Sequence, residues 1–166
     1  MRVRLLSVGR RMPDWVEQGF AEYVKRLPPE CTLELIEIEP ARRGKSRGKA
    51  AGSAALRDRL RADEGDRLLR AIPAGALVIA LDVSGRTWST EQLADRLQDW
   101  MASGRDIALL VGGADGLSAE CLARADLRWS LSPLTFPHPL VRVMLAEQIY
   151  RAWSILAGHP YHRGDP

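Results

Sequence analysis

Residues 77–117 read LVIALDVSGRTWSTEQLADRLQDWMASGRDIALLVGGADGL, and the fold is decided in this stretch. Leu77, Val78, Ile79, Ala80 and Leu81 form a continuous apolar run of strand length, the pattern of a strand covered on both faces, and Ile107 to Val111 repeats it. Between them, Ser89, Thr90, Glu91 and Gln92 match a capping box, in which the Ser89 hydroxyl and the Gln92 amide satisfy free backbone donors at a helix start. Leu93, Leu97, Trp100 and Met101 supply that helix with an apolar stripe, and Gly104 ends it. Two buried strands joined through a helix make a crossover unit with parallel strands. The first of these strands is expected to end at Asp82.

The same alternation continues on both sides. Toward the N terminus, Val3, Leu5, Leu6 and Val8 form a strand closed by Gly9. Pro13 and Asp14 then open a helix carrying Trp15, Val16, Gly19, Phe20, Tyr23, Val24 and Leu27, which Pro28 and Pro29 stop. Leu33, Leu35, Ile36 and Ile38 form a second strand. From Ala50 to Ile72 the composition favours helix, weakened at Gly52 and Gly65 and ended by Pro73 and Gly75. Beyond Gly112 a short helix starts near Ser118 and a strand runs from Leu127 to Leu131. A loop follows from Ser132 to Pro139, and a last helix runs from about Leu140 to Ala157, with Gly158 at its end. This order predicts an α/β fold, an open and mostly parallel sheet flanked by helices, formed by a single domain over residues 1–166.

Composition agrees with a compact fold: 46% of the 166 residues are apolar, enough for a sizeable core. No apolar run approaches the roughly 18 residues of a membrane span, and Met1-Arg2-Val3-Arg4 turns polar too soon for a signal peptide, so a cytoplasmic protein without a membrane partner is expected. Cys31 and Cys121 lie far apart with no CxxC spacing, which predicts buried free thiols and no metal site. A net charge of +3 says little until its distribution is seen. Arg42, Arg43, Lys45, Arg47 and Lys49 lie among Gly44, Ser46 and Gly48, and this loop is where the positive charge clusters.

In open parallel sheets, ligands bind beyond the carboxyl ends of the strands. Three loops qualify here: the one after Leu81, the glycine run from Gly112 to Gly116, and Ser132 to Pro139. The glycines follow neither the dinucleotide pattern nor the lysine-bearing phosphate loop, so alone they read more readily as a plain turn between strand and helix than as a ligand loop. The third loop has prolines at 133, 137 and 139, which preorganise its backbone, and its Ser132 and Thr135 hydroxyls suit an adenine edge or a ribose. A stiff surface connection is the alternative. His138, His159 and His162 are each open to acid-base or purely structural roles. The last helix is apolar on more than one side, from Leu140 and Val141 to Ile149 and Ile155, which points to a second copy of the chain packed against it or to a central position in a monomer.

Two segments carry a specific resemblance: Leu109 to Ser118, and Trp129 through Ser132-Pro133-Leu134-Thr135-Phe136-Pro137-His138-Pro139 to Val143. Together with Ala146 to Ile155, the ending His159-Pro160-Tyr161-His162-Arg163, and Met12-Pro13-Asp14-Trp15 near the start, they resemble the RlmH family over nearly the whole chain. The stretch from Gly52 to Leu60 is longer than is usual there, Pro133 replaces a smaller residue, and the tail continues through Gly164, Asp165 and Pro166.

The resemblance implies a small SPOUT-class enzyme that transfers a methyl group from S-adenosylmethionine to N3 of a pseudouridine in helix 69 of 23S ribosomal RNA. It further implies a homodimer acting on the assembled ribosome, and a C-terminal trefoil knot. Family matching puts the cofactor against Leu81, Gly112, Leu131, Ser132, Pro133, Leu134, Thr135 and Phe136. The N3 proton must leave before N3 becomes a good nucleophile. His162 or solvent is the expected base, with Arg163 and Arg142 stabilising negative charge and the tail reaching the partner's cofactor. A non-enzymatic ribosome-binding module and a tRNA methyltransferase of the same superfamily stay open. A nicotinamide or flavin enzyme would want a glycine fingerprint where this chain has Gly9-Arg10-Arg11-Met12.

Overall fold

The computed structural model describes residues 1–44 and 53–163. Strands β1 (Arg2–Val8), β2 (Thr32–Ile38), β3 (Leu77–Thr87), β4 (Ile107–Val111) and β5 (Leu127–Ser130) form one sheet in the order β2-β1-β4-β3-β5. Every pairing in it is parallel. The α/β class and the flanked parallel sheet expected from the alternation are therefore what the chain adopts.

Helices α1 (Asp14–Val24), α3 (Thr90–Ser103) and α5 (His138–Leu156) cover one face, and α2 (Ala54–Ala71) and α4 (Ala119–Arg124) the other. Alternation along each strand sorts the core into two layers. Val3, Leu5, Ile79, Ile107 and Leu109 pack with Leu93, Leu97, Leu145 and Ile149, while Leu6, Val8, Val78, Ala80 and Leu110 pack with Leu68, Leu117 and Cys121. β4 lies mid-sheet and is buried at all 5 positions, which is why its sequence shows an apolar run instead of alternation. The Ser89 capping box forms, with the Gln92 amide N–H donating to Ser89 Oγ at 3.1 Å and the Ser89 N–H to Gln92 Oε1 at 2.9 Å.

Five boundaries differ from the sequence reading. β3 does not end at Asp82 but runs to Thr87, because Arg86 and Thr87 pair with Trp129 and Ser130 after a register shift. Its outer half is polar and lies at the sheet's end, so no apolar signal marks it. α5 starts at His138 instead of Leu140, since a proline in the first turn of a helix has no N–H to lose, and the preceding loop is shorter accordingly. α1 ends at Val24 and continues as turns to Leu27, and β5 ends at Ser130, one residue short of Leu131. The helix expected from Ala50 begins at Ala54 with Ser53 as its cap, residues 50–52 lying outside the described residues. The apolar breadth of α5 is largely used within the chain: it packs between α1 and α3 over the sheet.

Candidate functional site

Because β4, β3 and β5 are neighbours, the three loops singled out in the sequence open at one edge of the sheet. They enclose a cavity of about 440 Å³, within the range of small-molecule sites. Leu81, Asp82 and Val83 form one wall, Gly112, Gly113 and Gly116 another, and Leu131, Ser132, Leu134, Thr135 and Phe136 a third. Among the eight positions matched to the family's cofactor contacts, only Pro133 is absent from this lining.

The glycine loop is shaped by backbone-to-backbone contact. A Cβ on Gly112 would stand 2.5 Å from the Gly116 carbonyl carbon and 2.8 Å from the Leu117 nitrogen, so the tight return of the chain excludes any side chain there. Behind the loop, the buried Glu64 of α2 accepts the Ala41 N–H at 3.1 Å, and its other oxygen lies 3.0 Å from where a Cβ of Gly113 would be. Burial holds the Glu64 carboxyl above the ordinary carboxylate range. Arg43 pairs with Asp115, tying the start of the basic loop to the glycine loop. Of the five basic residues clustered there, Lys45, Arg47 and Lys49 lie outside the described residues.

The third loop carries its own turn. Ser132 Oγ accepts the Leu134 N–H at 3.0 Å and the Ser130 hydroxyl donates to the Ser132 carbonyl at 3.0 Å. The Ser132 hydroxyl thus shapes the loop while its own proton remains free to donate. Leu134 and Val83, both strongly exposed, are apolar side chains at the cavity's rim.

Chemically the cavity is apolar walled with polar backbone edges. Among the described residues, its ionisable side chains are Asp82 and His138, and no lysine or arginine lines it. Such a site suits an adenine ring, a ribose and a positively charged group near Asp82. A polyphosphate would find no counter-charge.

The three residues expected to do chemistry are placed differently. Arg142 is 1% exposed and committed to neighbours: its guanidinium donates to Glu37 Oε2 at 2.9 Å, to the Gly9 carbonyl at 2.9 Å and to Ser7 Oγ at 3.3 Å. In this arrangement the Arg142 guanidinium, which the sequence reading assigned to stabilising negative charge on the substrate, is turned to protein partners. His162 and Arg163 sit in a 3-10 turn, Pro160–Arg163, packed on the middle of α5. The Tyr161 ring lies 4.7 Å from Tyr150, its hydroxyl donates to Glu147 Oε1 at 3.1 Å, and the Arg151 guanidinium covers its ring at 4.8 Å. His162 Nδ1 donates to the His159 carbonyl at 2.6 Å. Neither His162 nor Arg163 lines the cavity of its own chain.

His138, weighed in the sequence only as one histidine of three, does line it. Asp82, Val83 and Val141 join it there, and none of these was singled out by residue for the site in the sequence. For Asp82 and Val83 the one legible signal was position just after a predicted buried strand, and Val141 showed none beyond its place in the last helix.

A family model described as predicted SPOUT methyltransferase matches residues 1–162. The chain is 60% identical over 163 residues to a protein of Thioalkalivibrio sulfidiphilus named ribosomal RNA large subunit methyltransferase H, covering 98% of this chain and 99% of that one. A protein of the same name from Hahella chejuensis is 55% identical with the same coverage. A solved methylase family structure from Haemophilus influenzae Rd KW20 aligns with a TM-score of 0.53 at 13% identity, over 96% of this chain and 68% of that one, a likeness of fold alone.

Proposed function

The chain belongs to the SPOUT methyltransferase family and, within it, to the RlmH family, and from that premise we propose that it methylates large-subunit ribosomal RNA with S-adenosylmethionine as donor. The finer reading is transfer to N3 of a pseudouridine in helix 69 of 23S ribosomal RNA on the assembled ribosome, by a cytoplasmic homodimer with a C-terminal trefoil knot. The observation that carries the donor assignment is the lining of the cavity. It has apolar walls from Leu81, Leu131 and Phe136, backbone edges from the glycine loop, one carboxylate, and no lysine or arginine among the described residues. Those features fit an adenosine bearing a cation.

When bound, the donor supplies a methyl carbon made electrophilic by its sulfonium. Leu81, Gly112 and the loop Leu131, Ser132, Pro133, Leu134, Thr135 and Phe136 hold the adenosine and exclude water from it. Preorganisation of that loop by its prolines and by the Ser132 turn reduces the entropy lost on closing around the ligand. Alignment of methyl and nucleophile within near-attack distance is then the main contribution to rate. Tail residues His162 and Arg163 contact the target base or its phosphates from a second copy of the chain, since the tail is docked away from its own cavity. Arg142 acts through others, fixing the end of β1 beside the cavity. The cluster from Arg42 to Lys49 attracts phosphate without sequence preference, so ribosome binding weakens as salt rises.

Transfer of labelled methyl from S-adenosylmethionine to intact ribosomes, beside ribosomes lacking the helix 69 pseudouridines, tests this reading. Label confined to the pseudouridine-containing particles is the expected result. Cofactor binding with no label on either would overturn the substrate and bring forward a transfer RNA.

A further inference from the structure

Resting on the methyl-transfer reading of the cavity, we propose that His138, and not the tail residue His162, accepts the N3 proton of the target base. The cavity offers two ionisable side chains among the described residues, Asp82 and His138. A carboxylate is too weak a base to match a weakly acidic N–H at neutral pH, and Asp82 already accepts a hydrogen bond from the Ser84 hydroxyl. An imidazole is far closer to the pH of the reaction.

The surroundings of His138 hold it in place and keep it unprotonated. Its Nε2 stands 3.2 Å from where a Cβ of Gly9 would be, and Gly9 has φ +124°, a conformation that side chains avoid, so the ring rests in room that only glycine leaves. It is the first residue of α5, where the helix dipole disfavours a cation. Partial burial, and then the positive charge of Arg142 one turn further along α5, push its pKa below the usual histidine value. The charged groups around it are Arg142 on its own helix, Glu37 on β2 acting through Arg142, and Asp82 on β3 across the cavity.

In the step itself the N3–H bond breaks, its proton passes to the His138 imidazole and its electron pair stays on N3. That pair forms the bond to the methyl carbon as the methyl–sulfur bond breaks, with the electrons of the broken bond remaining on sulfur. The imidazolium then returns its proton to solvent through the cavity's open mouth.

The test compares the full-length wild type, His138→Gln and His162→Gln by calorimetric binding of S-adenosylmethionine and by single-turnover methyl transfer to pseudouridine-containing ribosomes from pH 6 to 9. The expected result for His138→Gln is cofactor affinity within about threefold of wild type and a transfer rate at pH 7 lower by roughly 10² to 10⁴. That deficit should narrow as pH rises and hydroxide takes over proton removal, a recovery that a displaced wall residue would not show. Wild-type rates from His138→Gln at every pH, or a loss of cofactor affinity matching the loss of rate, overturn the assignment. Should His138→Gln not fold, the wild type still decides. Its rate must rise with pH to a plateau at the His138 pKa found by magnetic-resonance titration, and a limb at another pKa overturns the proposal. No transfer by the wild type to any ribosome would instead defeat the methyl-transfer reading.

Discussion

The guanidinium of Arg142, carried on α5, donates to the backbone carbonyl of Gly9 at the end of β1 over 2.9 Å, and both residues are buried. Their separation in sequence is 133 residues, so the contact joins the two ends of the chain beside the cavity. The same guanidinium reaches Glu37 on β2, whose carboxylate is about a third exposed. Three elements are thereby held in register by one side chain.

Replacing Arg142 by Met should cost about 3 kcal/mol of stability, because it strands the Gly9 carbonyl and leaves Glu37 unpaired, at the low end for a broken buried pair since water still reaches Glu37. Urea unfolding at pH 7 measures it. Arg142→Lys should fall between the two, as a point charge cannot serve all three partners. An Arg142→Met protein as stable as wild type would show the network to be dispensable.

Gly9→Ala should weaken methyl transfer more than it weakens folding. The new methyl would lie 3.0 Å from Met12 Cε and 3.2 Å from His138 Nε2, and the positive φ adds strain on the order of 1 kcal/mol. Single-turnover rate and unfolding midpoint, measured on one preparation, separate the two effects.

At Gly65, in the middle of α2, alanine ordinarily adds helix stability. Here the added Cβ would meet Ser118 Oγ at 2.3 Å and Ser118 Cβ at 2.9 Å, so α2 and α4 would be forced apart. Gly65→Ala is expected to lose roughly 1–3 kcal/mol. Adding Ser118→Ala should recover only part of it, because Ser118 also caps α4 through the Cys121 N–H and its Cβ clash persists. Thermal unfolding of both single variants and the double one checks the non-additivity.

Glu64→Gln keeps an acceptor for the Ala41 N–H while removing a buried charge. Since burial raises the folded-state pKa of Glu64, its contribution to stability is complete below the ordinary carboxylate value and is lost as pH rises through the folded value. The glutamine variant should therefore gain on wild type between about pH 4 and 8 and match it more closely in acid. Glu64→Leu should follow the same pH dependence but lie about 1 kcal/mol below Glu64→Gln at every pH, through the unpaired, partly hydrated Ala41 amide. Denaturant midpoints across that pH range decide both.

Much of the fold was legible because its signals are local. The runs Leu77 to Leu81 and Ile107 to Val111, the Ser89 capping box and the Gly104 stop each depend on residues close in sequence, and each is present as read. The outer half of β3 was not legible. Arg86 and Thr87 are strand only because Trp129 and Ser130 happen to lie beside them, and their own side chains are as polar as those of a loop. In the site, the three loops could be named in advance from the strand ends, glycines and prolines that mark them, whereas the partners of Arg142 could not. An arginine in a helix reads as solvent-facing until Glu37, Ser7 and Gly9 are found around it.

By itself the sequence determined the alternation of strands and helices, the two-layered core and the loops that open at the sheet's edge, because propensity, capping and apolar period act over a few residues. Only the tertiary structure decided the strand order β2-β1-β4-β3-β5, the shared cavity of three loops, the burial of Arg142 and the seat of His138 over Gly9. Each of these joins residues far apart in the chain. Such pairings follow from which surfaces meet when the core closes, and no local pattern encodes them.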